Sequence, residues 1–153
     1  MIFNEENTVE NFIIHKLSGV NLNANAVSDE KSESGVKWEY RSPEDLGRDV
    51  KDVLIESELK RALIRINPEI QENPELADEV IYKLRAILLS VNQTGLVRAN
   101  EEFTKWLQGE KTLPFGDNNR HVSIKLIDLD NLSNNSFIIT NQYTVKAKEK
   151  KIP

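Results

Sequence analysis

Downstream of Ser42 the hydrophobic period of this chain changes once, and that change constrains the fold more than any other feature. From Ser42 to Glu110 apolar residues recur every three to four positions, whereas from His121 to Val145 they alternate. The first spacing gathers side chains on one face of a helix and the second on one face of a strand, so neither segment suits the other's conformation. "HVSIKLID" sets Val122, Ile124 and Leu126 on one side, and "SFIITNQYTV" is rich in β-branched and aromatic types. Their connector, "LDNLSNN", has loop chemistry, which predicts an antiparallel β-hairpin over 121–147. "TLPFGDNNR" before it reads as a turn-rich linker.

The block 42–110 reads as about three helices. Ser42 is placed as an N-cap with Pro43 at the first helical position and two acids following, and periodicity runs from Asp52 to Ile66 until Pro68 breaks it. Asn73 and Pro74 open the next helix, whose stripe is Ala77, Val80, Ile81, Leu84, Ile87 and Leu88. After Gly95, Val97, Phe103, Trp106 and Leu107 are the candidate contacts of a third. Two "NPE" starts do not make a repeat, because the segments differ in length. Upstream, residues 1–19 form a first helix with Asn4 or Thr8 as cap, Val9, Phe12, Ile13, Lys16 and Leu17 at helical spacing, and Gly19 at its end. Residues 20–41 are a polar loop followed by the short strand "VKWEY". The fold class is therefore α+β.

A length of 153 residues suits one domain with a single core, and 39% hydrophobic with 29% charged residues is a globular composition. No apolar run approaches the roughly 20 residues that span a bilayer, so no membrane partner is expected. Cysteine is absent, which excludes disulfides and thiolate metal sites and fits a reducing cytoplasm. A net charge of −5 argues against a stand-alone DNA binder, since phosphate neutralisation supplies most of that affinity. It leaves open a DNA enzyme whose basic surfaces lie elsewhere.

Four groups of residues could carry chemistry. His15 and His121 lie far apart with no acid at ligand spacing, the pattern of structural or solvated histidines. Asp128 and Asp130 share a face with Leu126 where a strand runs out, a spacing that suits a polar turn and also a bound Mg²⁺. Lys146, Lys148, Lys150 and Lys151 form a basic run, interrupted by Glu149, that suits a solvated tail or a phosphate contact. Glu6 and Glu10 continue the line of Ile13, Ile14 and Leu17 on the first helix. A carboxylate bordering an apolar face risks desolvation unless a donor or cation meets it. The helix dipole accounts for Glu6 better than for Glu10.

These residues carry a family likeness. "NEENTVENFIIHKLSG" resembles the opening helix of the restriction (R) subunit of type I restriction-modification enzymes, and "VSIKLIDLDNLSNNSFIITNQYTV" resembles that family's Ile-Asp step, Asn-rich turn and following strand. "LKRALIRINPEI" and "ANEEFTKWLQGE" are similar to its helical insertion, so the likeness covers nearly the whole chain. It implies a nuclease domain of the PD-(D/E)xK class, in which carboxylates hold Mg²⁺ and a lysine serves the attacking water. Glu10 matches a supporting carboxylate on the first helix, and the lysines from 146 to 151 are the implied DNA contacts.

The resemblance also implies DNA and the modification and specificity subunits as partners of the parent, with Mg²⁺ and ATP as its cofactors. The family follows "QYTV" with a short linker, Pro-Asp and an acid-x-lysine strand; "KKIP" supplies the proline and nothing after it, and no phosphate-loop pattern occurs. The expectation is a fragment with residues 148–153 as a cut linker, inactive alone, with no cofactor bound and an unpaired strand edge that favours homodimerisation. The alternative from composition alone is a non-catalytic protein-interaction module built on the amphipathic helices.

Overall fold

The computed structural model describes residues 5–23, 26–27 and 36–146. In chain order its elements are α1 (Glu5–Ser18), β1 (Val20–Asn21), β2 (Ala26–Val27), β3 (Glu39–Tyr40), a 3-10 turn at Pro43–Leu46, α2 (Glu56–Ile66), α3 (Pro68–Glu72), α4 (Glu75–Thr94), α5 (Leu96–Leu107), β4 (Thr112–Phe115), β5 (Arg120–Ser123), a second 3-10 turn at Leu132–Asn134, and β6 (Ile138–Ile139). Helices with a few short strands make an α+β fold, as the change of period predicts. The length suits a single core, but the chain divides into two compact units, 56–135 and the flanking 1–55 with 136–153. The reason is visible in the burial pattern: the middle segment has enough apolar surface to close on itself.

Within the 56–135 unit, α2 turns Leu63 and Ile66 inward and α4 turns Leu76, Ala77, Val80, Ile81 and Leu84 inward. Ile87 and Leu88, expected on the same stripe, are only half-buried. Pro68 does more than end α2. Its fixed φ suits a first helical position, and Asn67 before it is extended (φ −111°, ψ 112°), so a short new helix, α3, begins there and buries Ile70. On α5 the inward line is Ala99, Phe103 and Trp106, spaced by four and three. Val97 and Leu107 are exposed, contrary to expectation: each residue advances the helix by about 100°, which carries both off that line. Ion pairs Lys60–Asp78 and Arg85–Glu56 rim the α2–α4 seam at 2.7 and 2.6 Å, though exposed pairs of this kind add little stability.

The antiparallel pair is present, but with a different partner from the one the sequence suggests. β5 pairs with β4, in the register Leu113↔Val122 and Phe115↔Arg120, so the presumed linker "TLPF" is itself a strand. Leu113 is fully buried, and Gly116 (φ 72°) and Asn119 (φ 48°) adopt the left-handed backbone that closes a tight turn. A partner a few residues away costs less loop entropy than one beyond "LDNLSNN". Alternation then continues past the strand, with Val122, Ile124 and Asp128 buried and Leu126 half-buried.

In the flanking unit β6 lies parallel to β3, in the register Glu39↔Ile138 and Tyr40↔Ile139. The Glu39 N–H donates to the Phe137 carbonyl at 2.8 Å and the Arg41 N–H to that of Ile139 at 3.0 Å. A parallel pair cannot be joined by a tight turn and needs a long crossover, so "SFIITNQYTV" is not the second arm of a 121–147 hairpin, and only its Ile138–Ile139 forms a strand. Trp38 and Phe137 extend the contact with rings 5.2 Å apart. α1 packs against β1, β3 and β6 with Ile14 buried. The start at Ser42 yields only one 3-10 turn. Ser42 Oγ donates to the Asp45 carboxylate at 2.8 Å instead of accepting a backbone N–H, and Gly47 (φ 64°) ends the turn. The following α-helix begins at Glu56 rather than Asp52.

Candidate functional site

Glu10 sits on the inward side of α1. Ile14, one turn later, is buried and Leu17 half-buried, while Val9, Phe12 and Ile13 face solvent on the other side. Glu10 itself is half-buried. The helix is thus apolar on two faces and carries its carboxylate on the packed one. The side chain of Glu6 lies outside the described residues. The C-terminal end of α1 is tied down: Ser18 Oγ donates to the Ile14 carbonyl at 2.6 Å, the Gly19 N–H to that of His15 at 2.8 Å, and the Trp38 N–H to that of Leu17 at 3.3 Å. The last two of these bonds satisfy carbonyls the helix leaves open, and together the three anchor its end beside the parallel strands.

Beyond those strands the Tyr40 hydroxyl donates to Asn141 Oδ1 at 3.0 Å. Desolvation, followed by the charges of Glu44 and Asp45, raises the Tyr40 pKa above its ordinary value. The tyrosine therefore stays a neutral donor that fixes the chain leaving β6.

Asp128 is buried, and its carboxylate is fully engaged. Oδ1 accepts the N–H groups of Asp130 and Asn131 at 3.1 and 2.9 Å, and Oδ2 accepts Asn134 Nδ2 at 2.9 Å. Its backbone exchanges two bonds with the Asn135 side chain, at 2.8 and 2.7 Å. The Asn131 N–H first, then Asn134, hold the Asp128 pKa below its ordinary value. Asp130 is exposed and pairs with Lys125 at 2.9 Å. The two acids thus organise a polar turn, and neither is arranged as half of a Mg²⁺ site.

The Asp128 network has a pH signature. A carboxyl with a depressed folded pKa stabilises the fold fully above its unfolded value, near pH 4, and loses that contribution as pH falls through the lower folded value. Asp128→Asn is expected to destabilise the chain at neutral pH, with the difference from the parent shrinking below about pH 4. Thermal melts across pH check this, and a difference that does not change with pH would refute it.

Lys146 is exposed, and its backbone N–H donates to the Val50 carbonyl at 2.9 Å. Lys148, Lys150 and Lys151 lie outside the described residues. His121 Nδ1 is 3.1 Å from Thr112 Oγ1 across the β4–β5 hairpin, a solvated position, and His15 is half-buried near the end of α1. Two polar residues that pattern did not single out prove central. Asn67 is buried between α2 and the strand-like stretch at Lys125, and Arg48 bridges residues 49–52 and 143–144. Asn67 precedes a proline and resembles an ordinary cap; Arg48 follows a glycine and resembles ordinary loop charge.

The described residues do not by themselves form a Mg²⁺ site. Asp128 is committed to N–H donors, Asp130 to Lys125, and no group of three or more His, Asp or Glu side chains gathers among the described residues. None of the described helices is long and apolar enough to cross a membrane.

The flanking unit thus sets a two-residue parallel strand pair beside α1, the helix that bears Glu10, and the 56–135 segment lies in the chain between the two strands. The family model for the N terminus of the type I restriction enzyme R protein matches residues 2–153, and the chain belongs to that family. Comparison with curated proteins and with solved structures gives no match. Membership ties the chain to a multi-subunit restriction system acting on DNA.

Proposed function

We propose that this chain is the N-terminal part of the nuclease domain of a type I restriction R subunit, whose parent translocates DNA with ATP and cleaves it by Mg²⁺-dependent phosphodiester hydrolysis. The observation that carries this reading is the family match along residues 2–153. The placement of α1 against the parallel β3–β6 pair, with Glu10 on its packed face, supports it. In this reading Glu10 is a supporting carboxylate, and the metal ligands and the nucleotide site come from other segments of the parent. Mg²⁺ there would polarise the phosphodiester and activate water. Lys146 with Lys148, Lys150 and Lys151 would meet the DNA backbone, and the modification and specificity subunits would complete the assembly in the cytoplasm.

In the R subunit, Glu10→Ala is expected to reduce Mg²⁺-dependent cleavage by roughly 10- to 100-fold, the usual cost of losing a supporting group around a metal. ATP hydrolysis should be retained. Plasmid cleavage and ATPase assays on the same preparation read both activities. Unchanged cleavage would return Glu10 to a helix-dipole role. The wider reading requires the gene to continue past Pro153 with Asp and then an acid-x-lysine strand, and a stop codon there would overturn it.

A further inference from the structure

We infer that Arg48 is a positioning residue that fixes the path of the chain leaving β6. This rests on the nuclease reading above, in which that segment leads from the N-terminal strands toward the cleaving part of the R subunit. β6 ends at Ile139, and Gln142 takes a left-handed conformation (φ 49°) that turns the chain out of the strand direction. Residues 143–146 then run without a strand partner among the described residues.

Contacts to residues 48–53 hold the segment instead. Arg48 Nη2 donates to the Thr144 carbonyl at 2.6 Å, while Nη1 donates to those of Asp49 and Asp52 at 3.1 and 2.8 Å. The guanidinium lies 3.7 Å from the centre of the Tyr143 ring, and the Tyr143 hydroxyl donates to the Val53 carbonyl at 2.8 Å. The Lys146 N–H closes the set at the Val50 carbonyl, 2.9 Å away. One planar side chain thus grips both segments, using the forked donor geometry and the flat face that distinguish arginine from lysine.

The base of the clamp is itself rigid. The Asp49 N–H donates to Asp52 Oδ2, the Lys51 N–H to Asp49 Oδ1 and the Asp52 N–H to the Asp49 carbonyl, at 3.1, 3.1 and 2.9 Å. Leu46, buried just before Gly47, anchors the turn that delivers Arg48. Arg48 Nε is buried without an acceptor, so the arrangement is kept although one donor goes unsatisfied. A chain held this firmly just where it leaves the sheet transmits position to whatever follows, and small displacements at a reacting centre have large kinetic consequences.

The test uses the R subunit carrying Arg48→Met or Arg48→Lys. Amide hydrogen exchange at Lys146 is expected to accelerate by about tenfold or more in both variants, with the Arg41 amide, bonded to Ile139, as the unaffected internal control. DNA cleavage is expected to fall roughly 10- to 100-fold while ATP hydrolysis persists. Tyr143→Phe, which removes only the bond to Val53, should show a smaller change of the same kind and covers the case of a poorly folding Arg48 variant. Unchanged exchange at Lys146 overturns the clamp. Faster exchange with unchanged cleavage overturns the positioning role and leaves the nuclease reading standing. Joint loss of cleavage and ATP hydrolysis overturns it too, since that marks general misfolding. Absence of cleavage by the parent subunit itself would remove the nuclease reading and the positioning role together.

Discussion

Asn67→Ala is expected to destabilise the chain by about 3 kcal/mol, far more than a polar-to-alanine change usually costs. Asn67 is 2% exposed, and its side-chain amide imitates a strand neighbour. Nδ2 donates to the Lys125 carbonyl at 2.9 Å while Oδ1 accepts the Lys125 N–H at 2.8 Å, closing both backbone groups of one residue. Nδ2 also donates to the Leu63 carbonyl at 3.0 Å, near the end of α2. Truncation leaves a backbone donor and acceptor without partners next to the fully buried Ile124, and an unmade buried bond costs more than a made one contributes.

Asn67→Asp separates hydrogen bonding from packing. It keeps the size but sets a carboxylate against two carbonyls, so its deficit should be greatest at neutral pH and should shrink as acid neutralises the new group. Chemical denaturation at two pH values measures both effects. A loss under about 0.5 kcal/mol for Asn67→Ala would show that solvent or relaxation replaces the bonds.

Leu84→Ala should also cost about 3 kcal/mol, by a different route. Leu84 is 1% exposed on α4, the helix that contacts both α2 and α5, and removing its isobutyl group leaves a cavity that three helices would have to shift to fill. Leu89, five residues on, is 64% exposed. Leu89→Ala should change stability by no more than about 0.5 kcal/mol. Equal effects from the two substitutions would mean that α4 packs on a different face. The pair tests the orientation of the helix, not merely its presence.

The reason Leu84 and Leu89 can be separated at all is local periodicity. The stripe Ala77, Val80, Ile81 and Leu84 was legible because one helix imposes one spacing, whatever covers it. The alternation through Val122, Ile124 and Asp128 was legible for the same reason. Helical geometry put Glu10 in line with Ile13, Ile14 and Leu17; Ile14 and Leu17 do share its packed side, whereas Ile13 is exposed. What Glu10 meets there was not legible. The polar turn at Asp128 was also readable in outline, from an acid followed by a run of asparagines at a strand end.

Pairing was not legible. β5 satisfies any neighbour with a compatible pleat, and both "TLPF" and "SFIITNQYTV" qualify; loop entropy and the turn chemistry of Gly116 and Asn119 favoured the nearer. β6 instead found β3, which only a crossover carrying the whole 56–135 unit could bring about. Asn67 and Arg48 escaped notice because a side-chain donor has no periodicity. Its importance depends on which carbonyls the fold delivers within about 3 Å, and those carbonyls belong to residues distant in sequence. The amino-acid order by itself determined the inner stripe of α4 from Ala77 to Leu84, the alternation through Val122 and Ile124 and the family likeness at the two ends, since each follows from spacing along the chain. Only tertiary structure decided which strands pair, where the two cores divide and which polar side chains hold separate segments together, because those energies arise between parts of the chain that meet only on folding.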